Sequence, residues 1–177
     1  MVSACDINYS VSGLALTNFD ESDLEIVGRQ LDRTPRDVHR VAFRCPCGSP
    51  AVVETPPRLS DGTPFPTFFY ATCPRLTAAI STLESEGVMD EMNARLQVDA
   101  DLAGSYAAAH DDYLAARAAL GIDVPEVEGI TAGGMPDRVK CLHSLAAHSL
   151  AAGPGVNPLG DEAVEAIGQW WMAGRCE

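Results

Sequence analysis

Thr67-Phe68-Phe69-Tyr70-Ala71-Thr72-Cys73-Pro74 is the stretch on which the fold turns. Its aromatic and β-branched residues favour a pleated strand up to Thr72, and a proline at the first helical position then starts a helix. Cys73 falls at the junction as the N-cap, beside the positive end of the helix dipole. Upstream, residues 38–44 carry Val38, Val41 and Phe43 among polar neighbours, and residues 51–55 are rich in β-branched side chains, so both predict strands. Residues 56–66 form a loop by their proline and glycine content. Connections this short favour antiparallel pairing.

Downstream of Pro74 the apolar spacing is helical. Leu76, Ile80 and Leu83 make one stripe that stops at Gly87. Met89, Met92 and Leu96, then Leu102, Tyr106, His110, Tyr113 and Leu120, continue toward Gly121. Residues 121–135 predict an acidic linker or lid. Helices follow over about residues 136–152 and 161–172. The fold class is therefore α+β: a small antiparallel three-stranded sheet packed against a mainly helical C-terminal half.

Before the sheet, Asp20 and Asp23 suit a helix N-terminus, with Leu24, Ile26, Val27 and Leu31 at helical spacing behind them. Thr34-Pro35-Arg36-Asp37 predicts a second, short helix after a tight turn. The pair has the outline of a helix-turn-helix. Residues 1–19 form an N-terminal arm in which residues 11–16 can make a short strand, and residues 20–177 form a single domain.

The chain's 177 residues, 46% of them hydrophobic, are enough to bury one core without staples. Its net charge of −13 argues against a surface that coats nucleic acid, which needs clustered Lys and Arg. No apolar run is long enough to span a bilayer, and Met1 to Ser10 has no secretory pattern. The expectation is a cytoplasmic protein without membrane contact, whose thiols stay reduced.

In such a compartment, six cysteines point to metal or thiol chemistry rather than to disulfides. Cys45-Pro46-Cys47-Gly48 ends a strand in a turn, Cys73 caps a helix, and Cys141-Leu142-His143 precedes His148. Cys45, Cys73 and Cys141 are the proposed thiolate ligands of zinc or an iron–sulfur cluster, with His143, His148 or Cys47 as the fourth. A helix already regular at Lys140 puts Cys141 and His148 on one face, whereas an irregular start favours His143. Cys5 and Cys176 are set aside because they lie near the termini. A reactive thiol is the metal-free form of the same idea.

Arg44, Arg138 and Lys140, with Arg33, Arg36 and Arg58 nearby, flank these motifs and suggest an alternative: a site for an anionic or phosphorylated small ligand. Each cation can equally pair with a surface acid. His110 precedes Asp111 and Asp112, which suit a solvated face. No Ser/His/Asp set, phosphate loop or dinucleotide fingerprint is present.

The strings Arg29-Gln30-Leu31-Asp32-Arg33-Thr34-Pro35-Arg36, Arg44-Cys45-Pro46-Cys47-Gly48-Ser49-Pro50, Pro64-Phe65-Pro66-Thr67, Thr72-Cys73-Pro74, Leu83-Glu84-Ser85-Glu86-Gly87, Arg138-Val139-Lys140-Cys141-Leu142-His143 and Gly155-Val156-Asn157-Pro158-Leu159-Gly160 together resemble the bacterial domain-of-unknown-function 501 family. The resemblance covers about residues 20–172 and departs at Asp32, where the family commonly has glycine. It implies a cytoplasmic protein, in the actinobacterial branch encoded near a septum-formation initiator, enolase and an exopolyphosphatase. It carries no established activity.

Overall fold

Asp20 and Asp23 open the first helix by reciprocal capping. Asp20 Oδ1 accepts from the Asp23 N–H at 2.9 Å, and Asp23 Oδ2 accepts from the Asp20 N–H at 3.3 Å. Helix α1, Glu21–Leu31, ends where Asp32 turns left-handed at φ 50°. This conformation suits glycine best but is also open to Asp. The computed structural model describes residues 19–174 and 176. The expected arm, its short strand and Cys5 lie outside the described residues, apart from residue 19.

The helix expected after Thr34 does not form, and residues 34–39 are irregular. Asp37, also at φ 50°, accepts from the backbone N–H and the hydroxyl of Ser60 at 3.0 and 3.1 Å. A carboxylate held by a distant loop cannot close a capping box. Without that second helix the helix-turn-helix outline disappears.

Three strands follow: β1 Arg40–Arg44, β2 Pro50–Glu54 and β3 Phe69–Ala71. They pair antiparallel in the order β1-β2-β3. Every residue of β2 is buried, as befits a central strand covered on both faces. Glu54 at its end is buried too, and meets Arg40 Nε at 2.6 Å.

The chain then turns helical through α2 Pro74–Ser85, α3 Val88–Leu96, α4 Ala100–Ala118, α5 Leu142–Ala152 and α6 Pro158–Ile167. Asp99 interrupts the expected long helix by capping α4, accepting from the N–H groups of Asp101 and Leu102. Helix α5 is the hub, packed against β3 on one side and α6 on another. Leu142, Leu145, Ala146 and Ala147 on it are fully buried. The fold is thus a three-stranded antiparallel sheet against a mainly helical C-terminal region.

Residues 121–135 are packed rather than free as a lid. Val124, Val127, Ala132 and Met135 are buried, and Arg117 on α4 donates to the carbonyls of Val127 and Ile130, each at 2.6 Å. Helix α5 also begins later than its apolar spacing predicts. The Arg138 and Lys140 N–H groups donate to the Gly134 and Gly133 carbonyls at 3.1 and 2.7 Å, a hairpin-like turn that is incompatible with helix there. Among the described residues, no helix is long and apolar enough to cross a membrane.

Candidate thiol and metal centres

Two separate groups of potential ligands emerge, and each is built by a junction between elements. The first lies where the β1–β2 hairpin, the start of α2 and the C-terminal tail meet. The turn after β1 is closed by the Gly48 N–H donating to the Cys45 carbonyl at 2.8 Å, with Gly48 at φ 91°. It presents Cys45 and Cys47 side by side. Cys176 comes in from the tail, its sulfur 3.3 Å from that of Cys45. The sulfurs of Cys45, Cys47 and Cys176 all lie within 4.8 Å of one another. Cys73, the N-cap of α2, lies beside this group, near enough to Cys45 and Cys176 for their ionisation to be linked. All four thiols are free.

Their protonation is shared. The Cys73 thiol is lowered to about 6, first by the bond from Cys45 and then by the Leu76 and Arg75 N–H groups at the start of α2, against the opposing effect of burial. Cys45 is driven far upward by its bond to Cys73 and by burial. Burial pushes Cys176 up to about 12. Burial opposes ionisation of Cys47, but the Ser49 backbone and hydroxyl and its sulfur neighbours lower it as well, so the group favours negative charge on some sulfurs at the expense of others.

The second group is Cys141, His143 and Glu84, whose donor atoms also lie within 4.8 Å of one another. Cys141 is extended at φ −157° and forms the N-cap of α5, so the helix starts only at Leu142. The irregular start places Cys141 beside His143. The approach to it is rigid: Asn93 on α3 clamps Val139, accepting from its N–H at 2.8 Å and donating to its carbonyl at 2.9 Å. Gly134 is required in the preceding turn, since a Cβ there would lie 2.6 Å from the Arg138 carbonyl oxygen.

Glu84, near the end of α2, accepts from the Leu142 N–H at 2.7 Å and meets His143 Nδ1 at 3.2 Å. His143 Nε2 lies 3.1 Å from the Thr77 carbonyl oxygen. Both ring nitrogens therefore face acceptors, an arrangement that suits a doubly protonated imidazolium. The His143 pKa is raised to about 9, first by Cys141 and, against burial, by Glu84. Cys141 is correspondingly lowered: burial opposes its ionisation, but His143 and the backbone and hydroxyl of Ser144 outweigh it. The pair borders an open cleft of about 350 Å³ lined by Thr67, Phe69, Tyr70, Thr77 and Ser144.

His148 joins neither group. It is fully buried, stacks on Phe69 with ring centroids 5.5 Å apart, and meets Asp112 through Nε2 at 2.9 Å and the Asn157 amide through Nδ1 at 3.3 Å. Burial lowers its pKa, which favours a neutral ring that donates to Asp112 and accepts from Asn157. His110 instead meets Thr131 Oγ1 at 3.1 Å. Of the proposed anion-binding residues, Arg44 grips both oxygens of Asp23 at 2.7 and 2.6 Å, while Arg138 and Lys140 are exposed.

Two participants escaped the sequence reading. Cys176 was set aside for lying near the terminus, yet the tail is tied down by Gln30 Nε2, which donates to the Cys176 carbonyl at 2.7 Å and the Pro50 carbonyl at 2.8 Å. Glu84 gave no local signal, because its partners are more than fifty residues away in sequence.

Both groups have the capacity to hold an ion. No curated protein and no solved structure matches the chain significantly. Residues 41–165, which span the sheet, both groups except Cys176, and most of α6, match the family described as "Protein of unknown function (DUF501)", and the chain belongs to that family.

Proposed function

We propose that Cys141 is a nucleophile, held as a thiolate by the His143 imidazolium, that takes an acyl group from a small neutral substrate bound in the adjoining cleft. The observation that carries this reading is the placement of both His143 nitrogens on acceptors beside a half-buried thiol. Such an ion pair readies the sulfur for attack at neutral pH. Acyl transfer is favoured over disulfide exchange because the group contains no second cysteine among the described residues. Cys141 stands at the N-terminal end of α5, where the helix dipole favours the thiolate.

In the reaction, the thiolate electron pair forms a bond to the acyl carbon. The leaving group departs with the electrons of the broken bond and takes the His143 proton. The products are S-acyl-Cys141, a neutral imidazole and the protonated leaving group. Free cysteines throughout the described residues suit a reducing, cytoplasmic setting.

The test uses p-nitrophenyl acetate with the purified full chain. A stoichiometric burst of p-nitrophenol at pH 7, with acetyl mapped to Cys141 by mass spectrometry and no burst from Cys141→Ser, is expected. Acetylation that falls on exposed Cys47, or a Cys141 that reacts only as the pH approaches that of an ordinary thiol, sinks the reading. So does an ion found bound by Cys141.

A further inference from the structure

The four thiols at the sheet end have no role in that chemistry, and Cys45, Cys73 and Cys176 among them belong to the buried core. A core that wanted small apolar residues could place alanine or valine at any of them. Instead the β1–β2 turn and the tail, far apart in sequence, bring three sulfurs together, with the residue before α2 beside them. The sulfurs of Cys45, Cys47 and Cys176 all lie within 4.8 Å of one another, and Cys73 at the start of α2 is near enough to Cys45 and Cys176 to shift their ionisation. Three mutually close sulfurs make one face of a tetrahedral site, with Cys73 nearby as the fourth donor.

We infer that Cys45, Cys47, Cys73 and Cys176 together bind one zinc ion, which fastens the C-terminal tail to the sheet and to the start of α2.

The geometry decides between candidates. Zinc with sulfur at about 2.3 Å in a tetrahedron needs sulfurs about 3.8 Å apart. The 3.3 Å contact between Cys45 and Cys176, and the 4.8 Å bound on their distances to Cys47, bracket that spacing. The sulfurs sit too close to enclose a multi-atom iron–sulfur cluster. An all-thiolate set also excludes magnesium and calcium, which take oxygen ligands.

The surroundings suit the charge of such a site. Four thiolates around one zinc leave a net charge of about −2. Backbone N–H groups face those sulfurs: Cys47 toward Cys45, Ser49 toward Cys47, and Arg75 and Leu76 toward Cys73. The last two belong to the first turn of the twelve-residue helix α2, so its dipole adds to them. Cys45, Cys73 and Cys176 are buried while Cys47 is exposed, which leaves the ion an entry side and a closed base. A site with every position filled by protein is a structural one.

The role follows from the topology. Cys176 is brought in by the short turn Trp170–Ala173, and Gln30 holds its carbonyl beside that of Pro50. The ion would convert that light tether into a covalent-strength closure of the tail over the sheet end.

The experiment is metal analysis of the full chain purified under reducing conditions with zinc present, followed by cobalt(II) titration of the metal-free protein. One zinc per chain is expected, together with the intense thiolate-to-cobalt absorption and visible bands of a tetrahedral site. Cys73→Ser and Cys176→Ser should each lose stoichiometric zinc, and Cys141→Ser should retain it. If the serine variants fail to fold, the cobalt titration of the unmodified chain still decides. No zinc and no cobalt spectrum overturns the proposal. A mass two daltons low from a Cys45–Cys176 disulfide, iron with labile sulfide, or zinc lost in Cys141→Ser overturns it equally. The burst at Cys141 is read separately, so either site can fail without the other.

Discussion

His143 shows how one side chain can be set by three others. Glu84 Oε1 accepts both from the Leu142 N–H at 2.7 Å and from His143 at 3.2 Å, so the same oxygen caps α5 and charges the ring. Replacing it by glutamine keeps the shape and removes the charge. Glu84→Gln is expected to lower the His143 pKa from about 9, measured by NMR titration, and to slow acetylation of Cys141 at pH 7. The stability effect has a definite sign. A histidine pKa raised on folding contributes stability that is fully present below about 6.5 and disappears as the pH rises through about 9. Glu84→Gln should therefore cost about 1 kcal/mol at pH 6, a modest figure because the pair is partly solvated, and less at pH 10. Denaturation at the two pH values checks this, and an equal cost at both would mean the carboxylate acts only as a helix cap.

At the scale of elements, the contact between α5 and α6 is the tightest in the fold. A Cβ at Gly160 would clash with the Leu145 carbonyl oxygen and stand 2.9 Å from the Ser149 Cβ. Both obstacles belong to α5, and the first is backbone that cannot rotate away. Gly160→Ala is expected to destabilise the protein by about 3 kcal/mol, measured by urea denaturation, because the helices must part along their length. Here the preference of alanine for helix, worth about 1 kcal/mol over glycine, loses to packing. Elements also separate what local signals could and could not reveal. The strand-to-helix switch at Cys73-Pro74 was legible because proline and β-propensity act within a few residues. The helix expected at Thr34 failed because Asp37 found Ser60 in a loop that sequence spacing cannot bring near.

Across the whole molecule, Tyr113 on α4 ties the helical half to the segment that leads into β3. Its hydroxyl accepts from the Phe68 N–H at 2.6 Å and reaches the Pro66 carbonyl oxygen at 3.2 Å. Tyr113 is fully buried, and its ring meets Phe69 edge-on at 5.5 Å. Tyr113→Phe keeps that ring packing and strands a buried N–H, so a loss of about 2 kcal/mol is expected on thermal or chemical unfolding. A change below a few tenths of a kcal/mol would mean that the strand finds another acceptor.

Short-range chemistry in the chain determined the strands, their antiparallel pairing, most of the helices and the identity of the residues able to do chemistry. Apolar spacing, proline and capping groups act over one or two turns, and these are readable without a fold. The grouping was decided only in three dimensions. Cys45 and Cys73 stand with Cys141 in the sequence reading, but the hairpin brings Cys45 to Cys47 and Cys176, with Cys73 at the start of α2 beside them, whereas the late start of α5 delivers Cys141 to His143 and Glu84. A sequence carries the ligands' chemistry and spacing, yet which sulfur meets which depends on packed elements whose relative positions are set by contacts across the whole chain.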